Sequence, residues 1–243
     1  MRYPIYQVDA FAGEIFKGNP AAVMPLEAWL PDETMQALAA ENNLAETAFF
    51  VRETGANGAD FHIRWFTPRI EVPLCGHATL ASAWVIFNKL GWAENSIRFH
   101  SRSGPLGVQK SPNDWLVLDF PNLQIEEQKT PAIILEAVEN APATAFHVPS
   151  DTNDMIVLEN EAAVRAAQPD MRILKQLGNM GLIVTAPGDQ ADFVSRYFAP
   201  GSGIDEDPVT GSIHSVLVPY WAEKLGKTKL EARQLSARGG VLR

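Results

Sequence analysis

Short segments of strand length recur along the whole chain. Alternation of apolar and polar residues with a period of two, or a brief apolar run, is typical of strands. The segments with these patterns are 3–11, 44–51, 59–68, 153–160 and 182–187. Segment 30–43 instead predicts a helix, because a proline and an aspartate stand at its start. We expect 44–51 and 59–68 to pair as a hairpin across residues 55–58.

Two longer segments, 76–91 and 211–226, are apolar on nearly every side. A helix without a polar face is typically buried. Gly91 and Gly226 are placed where such helices would end. Because strands outnumber helices in both halves of the chain, we predict an α+β fold in which sheets wrap around two central helices.

Residues 66–83 and 198–215 repeat one another. Each segment begins with Phe-x-Pro, carries an acidic residue shortly before a second proline, and then has a glycine and a polar side chain ahead of an apolar stretch. The two segments are 135 residues apart, just over half the chain. Such a repeat predicts two similar halves. We place the boundary at the polar, proline-bounded segment 121–131, which gives domains 1–120 and 121–243.

The glycine turns at Gly76 and Gly211 stand where the two apolar helices are predicted to begin. The first turn of a helix has N–H groups without an internal partner and a partial positive charge, and glycine lets a ligand approach them closely. We therefore expect the two turns to face one another across one cleft and to bind an anion, such as a carboxylate. The alternative interpretation is that both are ordinary joints between a strand and a helix.

The composition restricts the partners. The 243 residues carry a formal net charge of −9 and have a pI of about 5.0, which argues against nucleic acid or an anionic membrane as a general partner. A small anionic metabolite is still compatible with this composition as a partner, since local backbone dipoles can outweigh a modest overall charge. The single cysteine excludes an internal disulfide and suits the cytoplasm. No run approaches the roughly 18 apolar residues of a membrane span.

Four polar side chains stand where proton transfer or substrate orientation would need them. Glu46 begins an apolar strand, and partial desolvation of a carboxylate raises its pKa toward a value useful for proton transfer. His77 follows the first glycine turn, where the helix dipole favours a neutral imidazole. Asp207 precedes the second turn and Ser212 follows it. The competing interpretations are a solvent-exposed glutamate, a capping or core histidine, a turn acid and a helix cap.

Other chemistries have weaker support. Cys75 and His77 form a Cys-x-His pair, but no further cysteine exists and the other histidines lack ligand spacing, so the sequence predicts no metal site. Side chains so close in sequence diverge in direction, which disfavours a Cys–His nucleophile pair. The turn at 201–203 lacks the lysine of a phosphate-binding loop, and a dinucleotide fingerprint is missing.

Several motifs together resemble a known family. The blocks are DAF at 9–11, GNPAAV at 18–23, ET at 46–47, CGHAT at 75–79 and DEDPVTGS at 205–212. Their order and spacing resemble the phenazine-biosynthesis PhzF-like family of the diaminopimelate-epimerase-like superfamily. The resemblance implies two pseudo-symmetric halves, each a mixed sheet rolled around a central helix, with the active site in the cleft between them. It also implies cofactor-independent proton-transfer isomerisation and suggests a homodimer.

The resemblance carries over to individual residues. It implies that Glu46 is the proton-shuttling glutamate. It also implies that Gly76 and His77, and Asp207 with Gly211 and Ser212, match the residues that line the family's substrate pocket. We predict that Glu46, His77 and Asp207 are catalytic. The predicted substrate-binding residues are Asn19, Cys75, Gly76, Gly211 and Ser212.

The chain departs from the superfamily members that racemise or epimerise amino acids with two cysteines. Cys75 has Thr210 at its repeat-equivalent position, and a threonine hydroxyl is too weakly acidic to replace a thiolate unless a strong base stands beside it. We therefore expect Glu46 alone to act first as base and then as acid on a small carboxylate-bearing metabolite. The alternatives are a racemase or epimerase that uses Cys75 with a non-thiol partner, and a binding protein of the same fold without turnover.

Overall fold

A computed structural model describes residues 2–53, 58–150 and 153–243. The chain divides into two compact units. Unit 1 comprises residues 1–10 and 19–120, and unit 2 comprises residues 11–18 and 121–243. Segment 11–18, which the sequence division placed in the first half, therefore belongs to unit 2.

Unit 1 contains one mixed eight-stranded sheet. Its strands are β1 (Tyr6–Ala10), β2 (Asn19–Leu26), β3 (Glu46–Arg52), β4 (Phe61–Phe66), β5 (Glu71–Val72), β6 (Ser96–Ser101), β7 (Gly104–Lys110) and β8 (Leu116–Leu118). The strand order is β1-β2-β3-β4-β6-β7-β8, with β5 paired to β4. Strands β3 and β4 are antiparallel neighbours, as predicted. The turn predicted between them at 55–58 lies, except for residue 58, outside the described residues.

The sheet of unit 1 curls around the helix α2 (Gly76–Asn88). This helix packs against β1 and β2, at one end of the strand order, and also against β8 at the other end. Seven strands in a flat sheet would span about 30 Å, more than twice the width of a helix. Contact with both ends therefore requires a curved sheet, and small side chains such as Ala78 and Ala81 allow the close packing.

Helix α2 is buried as its composition predicted, but it ends three residues before Gly91. The N–H groups of Lys89 and Leu90 both donate to the Val85 carbonyl, at 2.8 and 3.1 Å. Gly91 then turns the chain with a φ of 70°, a conformation that glycine adopts without strain. A second helix, α1 (Asp32–Asn42), covers the opposite face of the sheet beside β3 and β4.

Unit 2 contains a mixed seven-stranded sheet. Its strands are β9 (Glu126–Lys129), β10 (Thr144–Val148), β11 (Asn153–Val157), β12 (Gly181–Pro187), β13 (Phe193–Phe198), β14 (Ala232–Gln234) and β15 (Gly240–Leu242). They are ordered β15-β14-β13-β12-β11-β10-β9. The linker predicted at 121–131 is wrong for residues 126–129, which form β9. Because β9 is an edge strand, its polar composition reflects exposure to solvent.

The buried helix of unit 2 is α6 (His214–Leu225), and it packs against one face of the sheet. Gly226 ends it with a φ of 64°, as predicted. The predicted start at residue 211 is wrong by three residues, because 211–213 form a turn whose carbonyls bond the N–H groups three positions later. The other sheet face carries the shorter helices α3 (Ala132–Ala137), α4 (Glu161–Ala166) and α5 (Met171–Leu174).

Each unit is thus a mixed sheet with one buried central helix, the α+β arrangement that the sequence predicted. Among the helices within the described residues, none has both the length and the apolar composition that crossing a bilayer would need.

Candidate active site

Unit 1 brings Glu46, Cys75 and His77 together at the start of two elements. Glu46 is the first residue of β3, Cys75 precedes α2 in an extended conformation, and His77 lies in the first turn of α2. The His77 Nε2 atom is 3.3 Å from Glu46 Oε2, and His77 Nδ1 is 3.5 Å from Cys75 Sγ. The imidazole therefore stands between a carboxylate and a thiol.

This cluster is largely withdrawn from solvent. The side chain of His77 is 7 % exposed and that of Glu46 is 13 % exposed, and Cys75 is buried. A carboxylate with so little access to water makes stronger electrostatic contacts with nearby groups than one in bulk solvent. The strand-edge glutamate bathed in water, which was the competing interpretation of Glu46, does not fit this burial.

Burial also controls the charge of His77. It lowers the pKa of the imidazole from 6.5 to about 4, and a hydrogen bond to the Pro20 carbonyl opposes the shift only in part. His77 is therefore neutral near pH 7. A neutral imidazole was expected from the helix dipole, whereas the main cause in the structure is desolvation.

The absence of a side chain at Gly76 has a local structural reason. A Cβ atom there would lie 2.5 Å from Cζ of Phe120, so the ring fills the space that the glycine leaves. The glycine had been expected to leave that space to a ligand. Phe120 was missed as a neighbour of the site, because nothing in a sequence 44 residues downstream marks it as a contact of Gly76. Asn19, the first residue of β2, is fully buried in unit 1.

Unit 2 contains a second polar cluster, built on the segment from Asp207 to Thr210. The Thr210 hydroxyl donates to Asp207 Oδ2 at 2.5 Å. Gln234, in β14, accepts from the Thr210 N–H at 2.8 Å and donates from Nε2 to the Asp207 carbonyl at 2.9 Å and to Thr210 Oγ1 at 3.1 Å. All three residues are buried, so the bonds form a closed ring that holds the Asp207 carboxylate in one orientation.

Sequence reasoning missed Gln234. It lies 24 residues after Thr210, outside both copies of the repeat and in a short strand. One signal was available: a glutamine in a strand must satisfy both its amide groups if it is buried.

Gly211 and Ser212 lie in the turn that precedes α6, and the helix begins only at His214. No side chain caps this helix, so the interpretation of Ser212 as a helix cap does not hold. His214 Nδ1 donates to the Thr210 carbonyl at 2.8 Å, and burial lowers the pKa of this histidine to about 4. The roles predicted for Gly211 and Ser212 toward a substrate, and the prediction that Gly76 and Gly211 face one cleft, stay predictions.

The donor atoms of unit 1 also define where a cation could be held. Glu46, Cys75 and His77 each offer one ligand atom, and these atoms all lie within 4.8 Å of one another. Within the described residues this is the one group of three or more potential metal-binding side chains with that spacing. The sequence analysis had missed it because Glu46 is distant in sequence from the Cys-x-His pair.

Two curled mixed sheets with buried central helices, and a glutamate beside a neutral histidine, define an epimerase-like fold with groups suited to proton transfer. Comparison with known proteins narrows this class. The family model described as "Phenazine biosynthesis-like protein" matches residues 8–243. The chain therefore belongs to the PhzF-like family, as the sequence motifs had indicated.

Individual relatives agree. An uncharacterized isomerase of Pseudomonas aeruginosa is 51 % identical over 243 residues, which is all of this chain and 90 % of that protein. The crystal structure of a PhzF-family phenazine biosynthesis protein from Enterococcus faecalis has a TM-score of 0.92 and 48 % identity over 100 % of this chain and 90 % of that one. A predicted epimerase from P. aeruginosa, 21 % identical with a TM-score of 0.69, covers 100 % of this chain and 90 % of its own, and shows the fold alone.

Proposed function

We propose that the protein is a cofactor-independent isomerase that moves a proton on a small carboxylate-bearing metabolite, with Glu46 as the acid and base. The observation that carries this proposal is the Glu46–His77 pair, a poorly solvated carboxylate 3.3 Å from an imidazole. Membership of a family with relatives named isomerases supports the reaction class.

The neutral state of His77 matters for the basicity of Glu46. A cationic imidazole at 3.3 Å would stabilise the carboxylate and lower its pKa, which would weaken it as a base. With the pKa of His77 at about 4, that charge is absent at neutral pH. Glu46 is then able to take a proton from carbon and return it at another carbon of a conjugated substrate.

Substrate binding is assigned to the remaining predicted residues. Asp207, held by its hydrogen-bond ring, and Ser212 orient the substrate. The backbone at Gly76 and Gly211 binds its carboxylate, because N–H groups near a helix start favour an anion. Asn19 and Cys75 complete the set of substrate contacts.

The test is deuterium uptake from D₂O into a panel of small unsaturated and amino carboxylates, followed by NMR. We expect wild-type protein to exchange one carbon-bound proton and to shift a double bond in at least one member. Glu46→Gln should lose this activity. Glu53→Gln is a matched control, because Glu53 also stands near a histidine, with Oε2 at 3.4 Å from His100 Nδ1. Uptake at the wild-type rate in Glu46→Gln would refute the proposal.

One observation favours a second candidate function, an epimerase with a single thiol. Such an enzyme needs a strong base beside Thr210, and Asp207 Oδ2 is 2.5 Å from the threonine hydroxyl. Cys75 and the Thr210–Asp207 pair would then serve as the two acid–base groups. The same D₂O assay separates the candidates, since an epimerase incorporates deuterium with inversion at a stereocentre and leaves every double bond in place.

A further inference from the structure

We propose that Glu46, Cys75 and His77 form a binding site for Zn²⁺ or another thiophilic divalent cation. A thiolate, an imidazole nitrogen and a carboxylate oxygen are the three types of ligand that proteins offer to zinc, and zinc sites with an open position typically have three protein ligands. The three side chains come from β3 and from the start of α2, so both ends of the site rest on regular structure.

The donor atoms lie near one another, and part of their spacing matches that of a zinc site. Zinc bonds of about 2.3 Å to sulfur and about 2.0 Å to nitrogen or oxygen, arranged tetrahedrally, place the donor atoms roughly 3.3–3.5 Å apart. Glu46 Oε2 lies 3.3 Å from His77 Nε2, whereas Cys75 Sγ lies 3.5 Å from the other ring nitrogen, Nδ1. The widest separation among the chosen ligand atoms is at most 4.8 Å, so closing it takes about 1 Å of side-chain movement.

The surroundings of His77 provide a second, independent argument. Histidines that bind a metal usually donate their other ring N–H to a backbone carbonyl or a carboxylate, which fixes the ring. The His77 ring donates to the Pro20 carbonyl. The Nε2 atom, though 3.3 Å from Glu46, is not aligned for a hydrogen bond with any described residue. The imidazole is therefore neutral, and its hydrogen bond to Pro20 fixes the orientation of the ring. On the side of Glu46, the Nε2 atom makes no hydrogen bond to a described residue that a cation would have to displace.

Binding is balanced by the release of one proton. The Cys75 thiol loses its proton to solvent as the sulfur–zinc bond forms, while the neutral imidazole and the ionised carboxylate bind without proton loss. No oxidant or reductant takes part. A zinc ion held in this way would occupy the Glu46 carboxylate, so zinc would act as an inhibitor of any reaction in which Glu46 is the base.

The first experiment is a competition for Zn²⁺ between the reduced full-length protein and a chromophoric chelator of micromolar affinity. We expect one zinc per chain. Cys75→Ser and His77→Gln should weaken binding by about 100-fold or more, since even outer-shell changes cost about 10–100-fold. The control is His100→Gln, which removes a histidine that lies near a glutamate without a nearby thiol and should leave affinity unchanged.

The main measurement of the second experiment uses wild-type protein and therefore does not depend on the folding of a buried substitution. Co²⁺ added to wild-type protein should give a thiolate-to-cobalt charge-transfer band and the visible spectrum of a tetrahedral ion, and Cys75→Ser should lose the band. Absence of zinc binding, cobalt binding without the thiolate band, or affinity lost in His100→Gln but kept in Cys75→Ser would each overturn the proposal. These readouts are independent of isomerase activity.

Discussion

The segments around Cys75 and Thr210 are equivalent in the sequence repeat, yet their polar groups have different partners. At the first, Gly76 begins α2 directly, and a thiol and an imidazole lie beside a strand carboxylate. At the second, a turn separates Gly211 from α6, and the threonine hydroxyl is bonded within a buried ring. The two copies of the repeat therefore differ both in where the helix begins and in the chemistry of their side chains.

The difference shows that two equivalent buried positions of the repeat, Cys75 and Thr210, make different kinds of hydrogen bond. Cys75 contributes a weak hydrogen-bonding group that contacts a histidine. Thr210 contributes a strong donor and acceptor, and the structure uses both functions, together with Gln234, to orient Asp207. We expect substitutions in the first segment to affect chemistry and those in the second to affect stability, and the following predictions test that division.

The largest effect is expected for Glu46→Gln. The amide has the shape of the carboxylate but no basicity, so turnover should fall by at least about 100-fold, the usual scale of general acid–base catalysis. The rate of deuterium uptake measures this, beside an unfolding curve that should change little. If the loss were smaller than tenfold, the cluster of Glu46, Cys75 and His77 would not contain the base, and the division between the two segments would fail.

Gln234→Ala should have the largest effect on stability. The substitution removes the hydrogen bonds that Gln234 makes to the Thr210 N–H and to the Asp207 carbonyl. Each buried group that loses its hydrogen bond costs about 1–3 kcal/mol. We expect the free energy of unfolding in urea to drop by about 3 kcal/mol. Gln190→Ala, at an exposed position, is the control and should stay within about 0.5 kcal/mol. Equal stability of the two variants would show that the ring does not hold unit 2 together.

The two buried histidines should make stability depend on pH in the same direction. His77 and His214 each have a pKa of about 4 when folded, against 6.5 for an ordinary histidine. Between these values the unfolded chain binds more protons, so stability is complete above about pH 6.5 and is lost as pH falls toward 4. From pH 7 to 5 we expect a loss of about 2 kcal/mol per histidine.

His77→Gln and His214→Gln provide the comparison for that prediction. Each variant should flatten the dependence of unfolding free energy on pH by about half of the combined effect, measured in urea at pH 7 and pH 5. A flat wild-type profile would contradict the low pKa values. If only one of the two variants flattened the profile, the pH dependence of stability would come from that histidine alone, and the two histidines would not contribute equally.

The smallest effect is expected for Cys75→Ser. The thiol contacts His77 at 3.5 Å, and a hydroxyl preserves a weak contact there, so turnover should decrease less than about tenfold. The measurement runs beside Glu46→Gln on the same substrate. An inactive serine variant together with an active glutamine variant would exclude the carboxylate mechanism and favour the single-thiol epimerase.

Much of the fold was predictable because its signals are local. The two buried helices were visible as apolar segments, and their glycine-marked ends follow from the backbone freedom of Gly91 and Gly226. The start of α6 was misplaced because a tight turn and the first turn of a helix have similar sequences. The strand β9 was taken for a linker because a polar edge strand has the composition of a loop.

The site was predictable only in part, for a different reason. Glu46, His77 and Asp207 stand in recognisable motifs, whereas Gln234 and Phe120 matter through contacts with residues 24 and 44 positions away in sequence. Such contacts depend on strand register and on the path of the chain after β8, which no local pattern encodes. The structure therefore adds the supporting residues to a set of motif residues that the sequence had already indicated.

The placement of segment 11–18 in unit 2 has a consequence for how the protein is made. The Arg238 guanidinium donates to the Gly18 carbonyl across 220 residues of sequence, and the Val241 N–H donates to the Phe11 carbonyl. Segment 11–18 is synthesised more than 200 residues before these partners and finds them only after residue 241 has been made. Such long-range contacts fold slowly, so unit 2 depends on two segments that are far apart in sequence, and an excised fragment 121–243 would lack one of its own pieces.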